Sequence, residues 1–375
     1  MKALITGGGT GGHINPALAI ASIIKEHDPS AEFLFAGTPF GMEAKLIPQA
    51  GYAFEPIKVK GFQRRISLEN IKKNVQAVGY LMTSTGRAKE IIRNFGPDIV
   101  IGTGGYVSGP VVRQAAKMKI PTAVHEQNAY PGVTNKILSK DVDKLMLTVK
   151  EALDYFDKNV DYTVTGLPVR DELLKKDKNT ARKELGFDDS FTILSFGGSL
   201  GSGCINDTMA EVIRNTVSKG LKINHIHGYG GMGKDTFPDM MKEYNVPMKS
   251  DRIRISEYIN DMDTCMAAAD LVISRSGATT LAELEAMGKP AVLIPSPIVA
   301  GNHQFHNANV LGKAGAAFVI EQKNVKSEEI IKIVEDLYEN PDKVRKMSEC
   351  SRKLAVNDTA QRIWNVISEL VNKEK

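Results

Sequence analysis

The chain has 375 residues, 42% hydrophobic and 25% charged, with a formal net charge of +4 and a mean hydropathy of −0.19. Its length argues for two or three domains at ~150 residues each, and its balance of apolar and charged residues excludes a disordered chain, a collagen-like chain and a multi-span membrane protein. Three cysteines (Cys204, Cys265, Cys350) without a CxxC pair build neither a disulfide framework nor a zinc knuckle.

In chain order the first elements are a strand at Lys2–Thr6, a glycine turn, a helix over about 15–26 and a second strand at Glu32–Ala36. The start runs straight into glycines without the apolar core of a signal peptide, so a cytosolic protein is expected. Residues 58–119 follow with 12 basic against 3 acidic side chains. Lys72, Lys73 and Arg87 lie in this stretch among apolar residues that include Leu81 and Met82. Such a patch suits an anionic partner (a membrane surface, a nucleic acid or a phosphorylated substrate), or is simply a solvated helix face. Further strands read at Ile99–Ile101, Thr122–His125 and Leu145–Val149. After Gly166-Leu167-Pro168 and a charged stretch the pattern restarts, with strands at Thr192–Phe196, Ile223–His227, Leu271–Ser274 and Ala291–Pro295. Strands alternating with helices imply parallel sheets covered on both faces. The strands are too many for one sheet, so the reading is α/β with two doubly wound, Rossmann-like domains, 1–165 and 166–357. A last helix, about 358–372, carries an apolar stripe (Ile363, Val366, Ile367, Leu370, Val371), which a return onto the first domain would bury.

Chemistry concentrates at the strand ends. Gly7-Gly8-Gly9-Thr10-Gly11-Gly12-His13 satisfies the dinucleotide spacing GxGxxG, but the second strand ends Phe35-Ala36-Gly37-Thr38 without the acid that a ribose diol needs, which disfavours NAD. What remains is a glycine loop at a helix start, able to meet an anion or a developing charge, with His13 beside it. A second loop, Gly197-Gly198-Ser199-Leu200-Gly201-Ser202-Gly203, reads as a phosphate loop without the lysine of a Walker motif. In Ser274–Glu283 a strand runs into a helix that places Thr279, Thr280 and Glu283 on one face. Glu283 suits a ribose diol, and Glu285 reads as the solvent-exposed carboxylate. Asn302-His303-Gln304 suits sugar hydroxyls, and His125-Glu126-Gln127-Asn128 leaves a strand's carboxyl end as a site-like cluster, with Asn135 seven residues on. Asp141-Val-Asp143, Asp261-Met-Asp263 and the pair His225/His227 are weak metal patterns. Neither a metal nor a cofactor is expected.

Eight blocks in order across nearly the whole chain, namely GGGTGGHINPALAIA (7–21), GGYVSGP (104–110), HEQNAYPGVTNK (125–136), TGLPVR (165–170), GGSLG (197–201), EYINDM (257–262), SRSGATTLAE (274–283) and GNHQFHNA (301–308), resemble the MurG family. These are bacterial transferases that add N-acetylglucosamine from UDP-N-acetylglucosamine to undecaprenyl-pyrophosphoryl-MurNAc-pentapeptide, converting lipid I to lipid II. The resemblance implies a GT-B fold, two Rossmann-like domains facing a central cleft, with the acceptor on the first and the donor mainly on the second. By position it assigns Thr10, Gly11, Gly12 and Asn128 to the donor sugar side, Arg170 and Ser199 to the diphosphate and Ile259 to uracil. It further assigns Ala278, Thr279, Thr280, Leu281, Ala282 and Glu283 to the nucleotide, and His303 and Gln304 to the sugar hydroxyls. His303 departs from the glutamine of some relatives, and Ser202-Gly203-Cys204 from their alanine-containing loop. Asn135 joins the substrate residues and Tyr106 the acceptor side. An inverting displacement then needs a base for the acceptor's C4 hydroxyl, His13 first and Glu126 second. The polyprenyl substrate biases the basic patch (Lys72, Lys73, Leu81, Met82, Arg87) toward an anionic cytoplasmic membrane surface, a peripheral location and no nucleic acid. Other cell-wall synthesis proteins are further candidate partners. A UDP-N-acetylglucosamine 2-epimerase or a transferase to another lipid is the alternative.

Overall fold

The computed structural model describes residues 1–59, 68–198 and 200–373. The chain divides into two units, Met1–Pro168 with Val356–Lys375, and Val169–Ala355.

The first unit contains strands β1 (Lys2–Gly7), β2 (Glu32–Gly37), β3 (Ala53–Pro56), β4 (Ile99–Gly104), β5 (Thr122–Glu126), β6 (Lys144–Leu147) and β7 (Tyr162–Val164). They form one parallel sheet in the order β3-β2-β1-β4-β5-β6-β7. Its helices are α1 (Gly11–His27), α2 (Glu43–Gln49), α3 (Leu68–Phe95), α4 (Ser108–Lys117) and α5 (Val133–Leu138). The second unit opens with α6 (Asp171–Lys175) and α7 (Lys178–Leu185). Strands β8 (Phe191–Phe196), β9 (Ile223–Gly228), β10 (Ile253–Ser256), β11 (Leu271–Ser274), β12 (Ala291–Leu293) and β13 (Ala317–Val319) build a parallel sheet in the order β10-β9-β8-β11-β12-β13. Around it lie α8 (Gly203–Ser218), α9 (Phe237–Glu243), α10 (Met262–Ala268), α11 (Ala278–Met287), α12 (His303–Lys313), α13 (Ser327–Glu339) and α14 (Pro341–Leu354). The chain then returns to the first unit as α15 (Thr359–Asn372).

The alternation of side chains along β1 explains the layering. Ala3 and Ile5 face one cluster with Ile14, Ile20 and Ile24 of α1 and with Ile363, Val366 and Ile367 of α15. Leu4, between them, faces the opposite cluster with Ile91 and Ile92 of α3 and Val111 and Val112 of α4. Period-two alternation with both faces apolar is what a sheet covered on both sides requires. The second unit repeats the device: Ile193 packs with Ile205 and Met209 of α8, and Leu194 with Leu284 of α11 and Leu311 of α12. These are the two doubly wound parallel sheets that the sequence implies, and their topology places a switch point between β1 and β4 in one unit and between β8 and β11 in the other. Ligands of open parallel sheets bind beyond the carboxyl ends of strands at such points.

The structure differs from the sequence reading in two respects. The first helix begins at Gly11 rather than about 15, so Gly11, Gly12 and His13 form its first turn. Strands β3, β7, β10 and β13 were not among those read from the sequence; all four are sheet edges. Among the described residues no helix is long and apolar enough to cross a membrane.

Candidate active site

In the first unit the loops after β1 and β4 lie against each other. The Gly8 amide donates to the Gly104 carbonyl at 3.3 Å. Gly104 has φ +105°, and a Cβ there would come within 2.8 Å of the His13 ring. A Cβ on Gly105 would stand 2.3 Å from the Gly8 carbonyl oxygen, so the two loops fit only as glycines. The Ser108 hydroxyl, at the start of α4, lies 2.6 Å from the Gly104 carbonyl oxygen and 3.0 Å from that of Thr6 and ties the two strand ends together.

Glu43 is fully buried and reaches this loop from α2. Its carboxylate accepts from the Gly9 amide at 3.0 Å, the Thr38 amide at 3.0 Å and the Thr38 hydroxyl at 2.6 Å. Burial raises its pKa, but these donors outweigh it and hold the carboxyl below its ordinary value. The acid missing from the end of the second strand is therefore present in space, six residues on, and is spent on backbone.

His13 is partly buried. Its Nδ1 lies 3.0 Å from the Thr103 carbonyl oxygen and 3.1 Å from Gln127 Oε1, while its own carbonyl accepts from the Thr103 hydroxyl at 2.8 Å. Thr10 and Gly12 beside it are exposed and Gly11 is half-buried. Glu126, at the end of β5, is buried and accepts four hydrogen bonds: from the Asn128 amide (2.9 Å) and side chain (3.1 Å), the Gly132 amide (3.0 Å) and Asn135 Nδ2 (2.8 Å). With those acceptor positions filled, Glu126 holds the turn that presents half-buried Asn128. Tyr106 is 60% exposed next to the Gly104–Gly105 loop. Lys72, Lys73, Leu81 and Met82 fall on α3, and their side chains lie outside those described. Arg87, also on α3, pairs with Glu55 and, at 3.0 Å, with Glu90.

In the second unit the loop after β8 leads into α8, whose N-cap is Ser202, its hydroxyl accepting from the Ile205 amide at 3.4 Å. Ser199 lies outside the described residues. Arg275, at the end of β11, donates to Ser202 Oγ at 2.7 Å, Gln322 Oε1 at 2.6 Å and the Ile294 carbonyl at 2.9 Å. One guanidinium thus joins the segments that follow β8, β11, β12 and β13. Gln304 braces the same edge: its Oε1 accepts from the Ser296 amide at 2.8 Å, and its carbonyl from Ser276 Oγ at 2.8 Å. His303 is half-buried at the start of α12. Ile259 is buried behind the end of β9, against the Gly228 backbone.

On α11, Ala278, Thr279 and Thr280 are half-buried, whereas Leu281 and Ala282 are buried, so the latter two can offer a ligand only backbone. Glu283 is buried and pairs with Arg170 at 3.0 Å. Burial raises its carboxyl pKa, and the Arg170 charge pulls against that. The expectation that Glu285 is solvent-exposed is corrected: it is 8% exposed, on a helix that packs against α6, α12 and α14.

The weak metal patterns are occupied otherwise. Asp143 accepts from the Thr122 amide and hydroxyl, both at 2.8 Å, and Asp261 pairs with Arg254 at 2.9 Å. His225 and His227 are buried in β9, bonded to the Thr216 and Ser195 hydroxyls, and burial lowers each to about 3. Among the described residues no group of three His, Cys, Asp or Glu is placed to hold a metal ion.

Sequence reasoning gave no role to Glu43, Thr103, Ser202 or Arg275, and quoted Gln127 only as one of a polar cluster. Arg275 and Ser202 stood inside the motifs that were read, but nothing local marks Glu43, 34 residues from the loop it binds.

Comparison with known proteins gives consistent matches. The family models for the glycosyltransferase family 28 N-terminal and C-terminal domains match residues 3–147 and 192–363. A protein of Acetivibrio thermocellus named UDP-N-acetylglucosamine–N-acetylmuramyl-(pentapeptide) pyrophosphoryl-undecaprenol N-acetylglucosamine transferase is 44% identical over 100% of this chain and 99% of its own length. Its namesake from Desulforamulus reducens is 41% identical over the whole of both chains. The crystal structure of Acinetobacter baumannii MurG superposes with a TM-score of 0.79 at 26% identity, covering 98% of this chain and 99% of that one.

Proposed function

The chain belongs to the MurG family within glycosyltransferase family 28, with the GT-B fold, and from that membership we propose how its residues carry out the family's reaction. The protein is a hexosyltransferase. It transfers N-acetylglucosamine from UDP-N-acetylglucosamine to lipid I, giving lipid II for peptidoglycan synthesis. The second unit holds the nucleotide and the first unit the acceptor.

The observation that carries the chemistry is the His13 ring. Its Nδ1 faces the Thr103 carbonyl, which can only accept, so Nδ1 bears the proton and Nε2 carries the lone pair. Nε2 takes the proton of the acceptor's C4 hydroxyl as that oxygen attacks the anomeric carbon. The C1–O bond to the diphosphate breaks with inversion, and UDP leaves with the bonding pair. Glu126, its carboxylate already accepting from four donors, instead fixes Asn128 and Asn135. Charge building on the diphosphate falls to the loop that Arg275 braces at the start of α8, with Arg170 and Ser199, where oriented donors lower a barrier by about 2.7–4 kcal/mol each. Glu283 takes the ribose hydroxyls by exchanging part of its pairing with Arg170. The basic residues of α3 dock the anionic cytoplasmic leaflet that carries lipid I.

One experiment tests both parts. Radiolabelled UDP-N-acetylglucosamine is supplied with lipid I in vesicles of neutral or anionic lipid, and lipid II is followed. Formation of lipid II, faster on anionic vesicles, is expected. Absence of lipid II would refute the transfer, and equal rates on both vesicles would refute the docking.

A further inference from the structure

A continuous line of hydrogen bonds runs inward from His13 to a buried backbone carbonyl, and the first unit supplies all of it. His13 Nδ1 lies 3.1 Å from Gln127 Oε1. Gln127 Nε2 lies 2.9 Å from the His125 carbonyl oxygen and 3.1 Å from His125 Nδ1. His125 Nε2 lies 3.0 Å from the Gly166 carbonyl oxygen. The polarity of the line is fixed at both ends. The Gly166 carbonyl can only accept, so His125 carries its proton on Nε2 and a lone pair on Nδ1. The Gln127 end that meets both the His125 carbonyl and that lone pair must be its NH2 group, which turns Oε1 to His13. Oε1 and the Thr103 carbonyl both accept, so His13 is held with its proton on Nδ1. Gln127 is 3% and His125 0% exposed, so neither side chain can turn away into water. Burial also keeps His125 neutral, its pKa lowered to about 4.

Resting on the reading of His13 as the base, we propose that Gln127, braced by His125, is a positioning residue that sets the tautomer and ring angle of His13. The amide does this without a formal charge. It selects Nε2 as the basic nitrogen and accepts from the imidazolium once the hydroxyl proton has moved, yet it does not stabilise a proton on the ring beforehand as a carboxylate would. The residues around the His13 ring are consistent with this: Thr103 and Gln127 contribute oxygens, Gly104 contributes only backbone, and the carboxylates of Glu43 and Glu126 are consumed by other donors.

The test begins with the unaltered full-length chain. Nitrogen-15 shifts of the imidazole rings, with His13 assigned by the signals lost in His13→Asn, should show His13 protonated on Nδ1 and His125 on Nε2. A His13 ring protonated on Nε2 would overturn the proposal without any variant of Gln127. The second arm is Gln127→Glu, which places a carboxylate against Nδ1 and should move the acidic limb of the kcat profile up by about one pH unit. Gln127→Leu should lower kcat at least tenfold while the Kd for UDP stays unchanged. Profiles of both variants that superpose on the parent's would overturn the proposal. His13→Ala separates this outcome from failure of the base assignment: parental turnover in His13→Ala refutes the base itself, whereas lost turnover there with parental profiles at Gln127 refutes only the positioning role.

Discussion

The two glycine loops look alike in sequence and are built on opposite charges. The loop after β1 is held from behind by an anion: the Glu43 carboxylate binds the Gly9 amide and Thr38, and the Gly8 amide is given to Gly104. The loop after β8 is held by a cation: the Arg275 guanidinium binds the Ser202 cap of α8. A helix start with a guanidinium behind it suits a diphosphate. A loop whose Gly8 and Gly9 amides are already given to Gly104 and Glu43 has fewer donors left for an anion, and it carries the imidazole of His13 beside it. Glycine spacing therefore reports close backbone approach, and the neighbouring charge decides what the loop can bind.

The sharpest way to break this contrast is His13→Ala. Loss of a general base should lower kcat by about 10²–10⁴ with the Kd for UDP unchanged by titration calorimetry; a kcat within a fewfold of the parent's would end the distinction between the loops. Arg275→Ala should do the reverse. Loss of charge-assisted bonds of about 1.5–3 kcal/mol should weaken UDP binding roughly ten- to a hundredfold, with a smaller change in kcat, and an unaltered Kd would remove the cation from the second loop's function. Glu43→Gln keeps one acceptor but puts an NH2 group against donors, which should cost about 1–3 kcal/mol of stability in urea titrations. UDP affinity should survive, and undiminished stability would show that the first loop holds its shape without the carboxylate.

The last contrast lies in pH. His225 and His227 are lowered from 6.5 to about 3 in the second unit, and His125 to about 4 in the first. Below 6.5 the unfolded chain binds protons that the folded chain refuses, so stability is complete above that value and falls as the pH drops toward the folded values. Between pH 6.5 and 5 the second unit should lose stability with the slope of about two protons and the first with about one. Hydrogen exchange of β8 and β9 compared with β4 and β5 reads the difference. Equal slopes would mean that the buried imidazoles do not set it.

The interior strands were legible because burial on both faces demands a continuous apolar run, as in Ala3-Leu4-Ile5 and Val272-Ile273. The edge strands β3, β7, β10 and β13 were missed because each has a neighbouring strand of its sheet on one side only and their residues are only partly buried for the most part, so no such run is required. Within the candidate sites, local motifs marked His13, Glu126, Asn128 and Glu283, since glycine loops and polar clusters at strand ends are sequence-local features. Their pairings were not local. Glu126 turned out to be saturated by the turn that follows it, Glu283 to face Arg170, and Glu285 to be buried.

The sequence by itself determined the doubly wound class, the positions of the loops at strand ends and the family, because periodicity, glycine spacing and ordered motifs are properties of short stretches of chain. Tertiary structure alone decided which glycine loop is backed by an anion and which by a cation, and which oxygens face Nδ1 of His13. Those outcomes depend on side chains 34 residues away (Glu43 to Gly9), 73 residues away (Arg275 to Ser202) and 114 residues away (Gln127 to His13), brought together at the carboxyl ends of the strands. Hydrogen bonds and charges act over a few ångströms of space, and sequence separation does not report that distance.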